Sequence, residues 1–366
     1  MPQQKKNIPA LRFPEFKEAW LKDKLHKLAE VKTGSRDTQN RIENGKYPFF
    51  VRSDTVERID TFAFDGEAVL TSGDGVGVGK NVHYIDGKFD YHQRVYAIYN
   101  FSKKLNGKFF FQFFKENFLR RAMRLSAKNS VDSVRMSMIT DMLVPHPKPE
   151  EQKKIAAFLG AMDEKITGLQ KKKGLLEDYK KGCMQKLFSQ EIRFTDNKGK
   201  SFPEWKEKKL GDVLTIGSGR DYKHLADGDI PVYGTGGYMT SVNEWLYDGE
   251  SVCIGRKGTI DQPKFLTGKF WTVDTLFFTH SFKKAIPKFV YYVFLTINWQ
   301  KYNEASGVPS LSKKTIEQIK TMMPHPDEQK KIADFLSAID DKIALVSEEL
   351  DKAKTFKKGL LQQMFV

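Results

Sequence analysis

Cysteine is almost missing from this chain: Cys183 and Cys253 are the only two among 366 residues. That excludes a disulfide framework and suits a reducing compartment, so a cytoplasmic location is expected. Long apolar runs are missing too. The most apolar stretch, Phe289 to Ile297, is far too short to cross a bilayer. Met1 to Lys6 is polar and basic with no apolar stretch behind it, so no signal peptide is read there.

Other absences concern chemistry. The seven histidines are scattered, with no HExxH and no His/Cys cluster of ligand spacing, so no metal site is expected. There is no Gly-x-Ser-x-Gly elbow and no Asn/Asp-Pro-Pro-Tyr pocket motif. The segment Gly73 to Asn81 superficially suggests a phosphate loop. Asp74 sits where its first glycine belongs, however, and Asn81 replaces its hydroxyl residue, so a glycine-rich turn is read instead. The acids of Pro326-Asp327-Glu328 open a helix, where they favour its dipole, and they lack catalytic spacing. A chain of this size without a site signature is expected to bind and not to catalyse.

What is present is positive charge and repetition. The hydrophobic fraction of 40% and aromatic fraction of 13% fit a folded protein. The net charge of +15 points to a polyanionic partner. Most of it lies in residues 1–149 (+9) and 189–325 (+4); residues 150–188 carry +3 and residues 326–366 carry −1. The repetition is longer than any solenoid unit. Pro145-His146-Pro147 and Pro324-His325-Pro326 each run into Glu-Gln-Lys-Lys-Ile-Ala-x-Phe-Leu, at 151–159 and 328–336. From Gln152 onward the offset is 177, and it carries Asp163 onto Asp340 and Ile166 onto Ile343. Two duplicated domains are therefore expected. A weaker echo links Phe13-Pro14-Glu15-Phe16 with Phe202-Pro203-Glu204-Trp205. Arg193-Phe194 follows the first repeat as Arg12-Phe13 would follow the second if the chain closed into a ring. The halves thus read as cyclically related, with neighbouring termini.

Four segments emerge. Residues 1–149 and 189–325 alternate strands, turns and some helix, with Phe109 to Met123 helical. Residues 150–188 and 326–366 read as single helices of about 40 residues, roughly 60 Å long. The first carries a heptad seam at Ile155, Leu159, Met162, Ile166, Leu169, Leu176, Cys183 and Leu187. The second carries it at Ile332, Leu336, Ile339, Ile343, Val346, Leu350, Ala353, Leu360 and Met364. Lys173, Lys180 and Lys357 interrupt these seams. Two such helices in one chain most simply pack on each other.

Candidate nucleic-acid contacts lie in the basic segments. They are Arg36, Arg41 and Arg52, Lys80 and Asn81, and His92-Gln93-Arg94 in the first. In the second they are Arg220, Tyr222 and Lys223, and Arg256-Lys257 before Gly258. Arginine grips guanine through two acceptors and Gln or Asn grips adenine likewise, whereas lysine mostly positions the backbone.

The two Phe-Pro-Glu starts, the paired Pro-x-Pro-x-Glu-Gln-Lys-Lys-Ile-Ala-x-Phe-Leu helix entries, and the ending Lys-Lys-Gly-Leu-Leu-Gln-Gln-Met-Phe at 357–365 resemble the specificity subunit of Type I restriction–modification systems. The resemblance covers the whole chain. The first copy departs at Gly182-Cys183-Met184-Gln185-Lys186. The resemblance implies two target-recognition domains of mixed α/β (α+β) fold, held apart by an antiparallel coiled coil in a pseudo-twofold cyclic arrangement. Each domain would read one half of a split site in double-stranded DNA. The helices would dock two modification (methyltransferase) subunits, joined by restriction (translocase/nuclease) subunits. S-adenosylmethionine, ATP and Mg would belong to those partners, and this chain would bind no cofactor and no membrane. Alternatives from other classes are a stand-alone nuclease or methyltransferase with an unrecognised site, or a coiled-coil scaffold.

Overall fold

The computed structural model describes residues 7–75, 77–126 and 133–366. Met1 to Lys6, and Val76 within the glycine-rich segment, lie outside them. The chain forms two compact units, one comprising residues up to Lys171 with Ser347–Val366 and the other Lys172–Val346.

Unit 1 is built from β1 (Leu21–Lys24), β2 (Glu30–Thr33), β3 (Tyr47–Phe50), β4 (Glu57–Ile59), β5 (Phe64–Ser72), β6 (Val82–Tyr91), β7 (Val95–Tyr99), α1 (Gly107–Leu125), α2 (Met136–Thr140), β8 (Leu143–His146) and the start of α3 (Pro149–Phe188). Six strands pair in the order β2-β7-β5-β6-β3-β4, with only β3 and β6 parallel. Tyr91 pairs with β3 and Val95 with the end of β5, although only three residues separate them. The sheet satisfies both pairings by curling. Alternation along β7 then serves two cores. Tyr96 and Ile98 face the α1 phenylalanines Phe109, Phe110, Phe113, Phe114 and Phe118. Val95, Ala97 and Tyr99 join Phe50, Leu70, Phe89 and Tyr91 on the other side.

Unit 2 repeats this plan with β9 (Lys206–Lys209), α4 (Leu210–Val213), β10 (Thr215–Ser218), β11 (Asp227–Gly234), β12 (Gly237–Val242), β13 (Tyr247–Asp248), β14 (Ser251–Gly255), β15 (Lys264–Leu266), β16 (Lys269–Thr272), β17 (Leu276–His280), α5 (Pro287–Thr296), α6 (Lys313–Gln318), β18 (Lys320–Met323) and α7 (Pro326–Met364). Besides the β9–β18 pair, its strands form two sheets, β10-β17-β14-β15 and β12-β11-β16-β13. The parallel pair recurs as β11 and β16. In unit 1, Gly66 and Gly87 face each other across β5 and β6, both at positive φ. Gly249 and Gly268, also at positive φ, are joined by a backbone hydrogen bond in unit 2. Such a bend needs residues without a Cβ. In unit 1 the strands run through it; in unit 2 they break there, and one sheet becomes two.

The two long helices enter both units. α3 lacks interior proline, carries Glu150 and Glu151 in its first turn, and ends before Gln190, which takes a left-handed conformation. In unit 1, Ile155 and Leu159 share a core with Leu360, Met364 and Phe365, and Lys357 donates to Asp163, so the helices run antiparallel. In unit 2, Leu187 shares a core with Ile332 and Leu336, and Lys180 donates to Asp340, in the same sense. Lys180 and Lys357, like Asp163 and Asp340, are 177 apart, so both units use one register. The lysines that interrupt the seam are thus its polar pairs. Lys173 instead faces Glu177 on its own helix. None of the expected seam positions is exposed, although Ile166 and Ile343 are only half-buried.

Each domain is locked to its helix by the same buried groups. Gln152 donates to the carbonyls of Lys104 and Pro147 and accepts from the Asn106 amide. Gln329 donates to Lys284 and Pro324 and accepts from Ile286. Glu151 accepts a two-pronged Arg12 at 2.7 Å and the Trp20 indole N–H at 3.3 Å. Glu328 takes Arg193 at 3.1 and 2.9 Å and Trp205 at 3.1 Å. The Glu151 bond holds the Arg12 guanidinium above its ordinary range.

These contacts correct two sequence matches. Trp205 is the counterpart of Trp20, not of Phe16, because both indoles donate to the buried carboxylate and a phenyl ring cannot. The first and second leads therefore differ by four residues between Arg and Trp. The Pro-His-Pro motifs are also out of register by two. Gln152 and Gln329 select Pro147 and Pro324, which places His146 opposite Met323. His146 is buried against Asp23, whereas His325 is half-exposed and stacked on Phe202.

Candidate nucleic-acid interface

In unit 1 the turns that follow β2, β3, β5 and β6 converge. The Gln93 amide donates to Arg36, the Gly73 amide to Arg94, and the His92 amide to Phe50. Asn81 and Ser72 both donate to the Arg52 carbonyl. Beyond these turns, Val134 donates to Gly73. Candidates spread over nearly sixty residues of sequence thus share one loop surface.

Acids set their side chains. Arg36 donates through Nε to the fully buried Asp90 at 3.2 Å, and Thr61 shares that carboxylate. Asp74 lies 3.2 Å from Arg52 and 3.8 Å from Arg94. Gln93 donates to Asp37. Arg41 pairs with Glu57 away from these acids. Arg94 is 68% exposed and Arg52 51%, so their outer N–H groups face solvent. Lys80 is exposed on the glycine turn. His92 belongs to the support, not the surface. It is 3% exposed, and its Nδ1 accepts the Arg94 amide. Burial, and after it the Arg52 charge, pushes its imidazole below the ordinary range. Asn81 likewise has its amide engaged by the Arg52 carbonyl.

Unit 2 brings its candidates together through equivalent turns. The Arg256 amide donates to Thr275, the Val273 amide to Tyr233, and the Leu311 amide to Arg256. The Trp271 indole donates to the Arg220 carbonyl. Arg220, Lys223, Arg256 and Lys257 are exposed and form no ion pair among the described residues. Tyr222 is half-buried against Val232, Val242, Trp271 and Val273, so its ring is mostly spent on packing. Burial pushes the Cys253 thiol up to about 12, which makes it a core residue and no nucleophile.

The supporting acids Asp37, Asp74 and Asp90 were not legible as part of the site. Asp90 lies 54 residues from Arg36, and no local pattern joins them.

Two stretches of the chain, residues 17–177 and 203–355, match the family model described as the Type I restriction modification DNA specificity domain. The chain belongs to that family. Among specificity-domain relatives, the Type I restriction enzyme EcoDI specificity subunit of Escherichia coli is 26% identical over 58% of this chain and 45% of its own length. The putative MjaX specificity subunit of Methanocaldococcus jannaschii is 25% identical over 64% and 61% respectively. The matched stretches thus span about half to three fifths of these relatives. The crystal structure of a Type I restriction–modification S subunit from M. genitalium shares the fold, with a TM-score of 0.77 over 98% of this chain and 99% of that one, at 20% identity. A chain from a structure of type I R-M complex assembly has a TM-score of 0.51 over 94% and 97%, at 14% identity. No helix among the described residues is long and apolar enough to cross a membrane.

Proposed function

We propose that this chain is the DNA-addressing subunit of a Type I restriction–modification complex and performs no chemistry itself. Each basic loop surface reads one half of a bipartite site in double-stranded DNA, and the paired helices set the spacing. The helices also dock two methyltransferase subunits, with restriction subunits completing the assembly in the cytoplasm. S-adenosylmethionine, ATP and Mg serve those partners; this chain holds none of them. The observation that carries this reading is the duplicated frame: the same Gln, Glu, Arg and Trp contacts fix a basic loop surface to a helix in each unit. Two similar partners suit two similar docking frames on one chain.

The test is methylome mapping in cells that carry the partner subunits. Exchanging residues 1–149 for the matching domain of a relative should change one half of the methylated site and leave the other intact. A swap that altered both halves together would refute the division of labour. Purified chain alone should transfer no methyl group to DNA.

A further inference from the structure

A third repeat lies in the bent hairpins. Phe62-Ala63-Phe64-Asp65-Gly66-Glu67 corresponds to Trp245-Leu246-Tyr247-Asp248-Gly249-Glu250, and Gly87-Lys88-Phe89 to Gly268-Lys269-Phe270. The pairing is physical. The Ala63 amide donates to Phe89 and the Leu246 amide to Phe270, each at 2.9 Å. Asp65 is the cross-strand partner of Lys88, and Asp248 of Lys269. Each hairpin therefore ends in an exposed ring under a lysine. Phe62 is 44% exposed with the Lys88 ammonium 4.8 Å from its centroid. Trp245 is 50% exposed with that of Lys269 at 3.8 Å.

Stability explains this poorly. An exposed cation–π contact adds little to stability, and one exposed ring alone would be ordinary surface. Here the ring changes from Phe to Trp and its neighbour from Ala to Leu, yet a flat face and a cation persist at both tips. An ammonium has three N–H donors, and the ring face does not take all of them. Neither lysine forms an ion pair among the described residues. Both tips also adjoin the candidate surfaces. Thr61, next to Phe62, accepts from Arg36. Leu246, next to Trp245, packs in the cluster that holds Tyr222, two residues beyond Arg220.

We infer that each ring–lysine tip is a clamp for the sugar–phosphate backbone of duplex DNA. The lysine takes a phosphate and the ring packs on the adjacent deoxyribose. This rests on the DNA-reading role proposed above, and it assigns the tips to grip and not to base choice.

Because backbone grip ignores sequence, a random 40-base-pair duplex is a sufficient probe. Its affinity for the full chain would be measured against salt, with thermal melting as the check on folding. K88Q/K269Q should lower the slope of log affinity against log salt by about 1.8, and affinity near 0.1 M salt by roughly sixtyfold. F62A/W245A should weaken binding at every salt without changing the slope, and F62Y/W245F should restore it. Well-folded lysine and ring variants that bind with the parent's affinity and slope would overturn the clamp alone. A parent chain that fails to retain duplex DNA would overturn the reading beneath it as well.

Discussion

The two loop surfaces solve one problem differently. Unit 1 fixes its arginines with acids: Asp90 under Arg36, and Asp74 between Arg52 and Arg94. Unit 2 leaves Arg220, Lys223, Arg256 and Lys257 without ion pairs among its described residues. Acids orient a guanidinium before binding and reduce the entropy lost later. They also subtract from attraction to phosphate. With those acids counted, residues 1–149 still carry +9, against +4 in 189–325. One surface is organised by acids; the other relies on lighter contacts, with Arg256 donating to the Asp274 carbonyl and lying over the Phe277 ring.

The frames beneath differ in connection. In unit 2 the chain runs from α3 directly into the segment that carries Arg193, and the Ile192 amide donates to Lys186. In unit 1 the segment carrying Arg12 meets α7 only by contact, yet Leu11 donates to Gln363 in the equivalent way. Removing the buried carboxylates should separate the two. Glu151→Ala and Glu328→Ala should each cost about 3–5 kcal/mol in chemical denaturation, since each strands an arginine and an indole donor. Only the first should also open residues 7–20 to limited proteolysis. Equal protease sensitivity would mean that covalent continuity is not what distinguishes the units.

The shared register offers a second comparison. Leu159→Ala and Leu336→Ala remove fully buried side chains and should each cost about 2–5 kcal/mol. Ile166→Ala and Ile343→Ala, at half-buried positions, should cost about half as much. Full-sized losses at the isoleucines would show that the seam is tighter there than its exposure indicates.

The surfaces themselves should respond unequally. Arg94→Gln and Arg256→Gln should each weaken one half-site, by about 1–3 kcal/mol if the side chain reads a base. Equal losses on specific and random duplexes would demote them to phosphate contacts. Asp74→Asn should strengthen binding to random DNA, because it releases two arginines from one anion; unit 2 has no matching acid between two arginines. A smaller difference concerns acid. Burial disfavours the protonated His92 imidazole in the fold, so its folded pKa lies below the unfolded one. Its contribution is complete above the unfolded value and is lost as pH falls through the folded one. Val273 occupies the equivalent turn. Burial pushes His83 in unit 1 and His280 in unit 2 down as well, so mild acidification should cost both units stability, and His92→Gln should remove only part of the loss in unit 1 in a urea titration.

The helices were readable because their signal is local. A heptad seam repeats every few residues, and the Glu-Gln-Lys-Lys entry recurs intact. The basic loops were readable as candidates, but His92, Asn81 and Tyr222 could not be sorted from Arg94 or Arg256. Burial and engagement depend on neighbours fifty residues away. The hairpin repeat of Asp-Gly-Glu with Gly-Lys-Phe was not read from the sequence, because without the strand pairing nothing joins its two pieces. Shared letters also misled: Pro-His-Pro and Phe-Pro-Glu matched out of register because composition carries no hydrogen bonds.

By itself the sequence determined the duplication, the long helices, their seam and the excess of positive charge. All of these follow from spacing and composition within single segments. Tertiary structure decided which residues are equivalent, since equivalence rests on buried donors finding the same acceptors. It decided that the seam lysines pair with Asp163 and Asp340, and that Asp74 and Asp90 aim the arginines of one surface only. These are contacts between groups far apart in the chain, and only folding sets such distances.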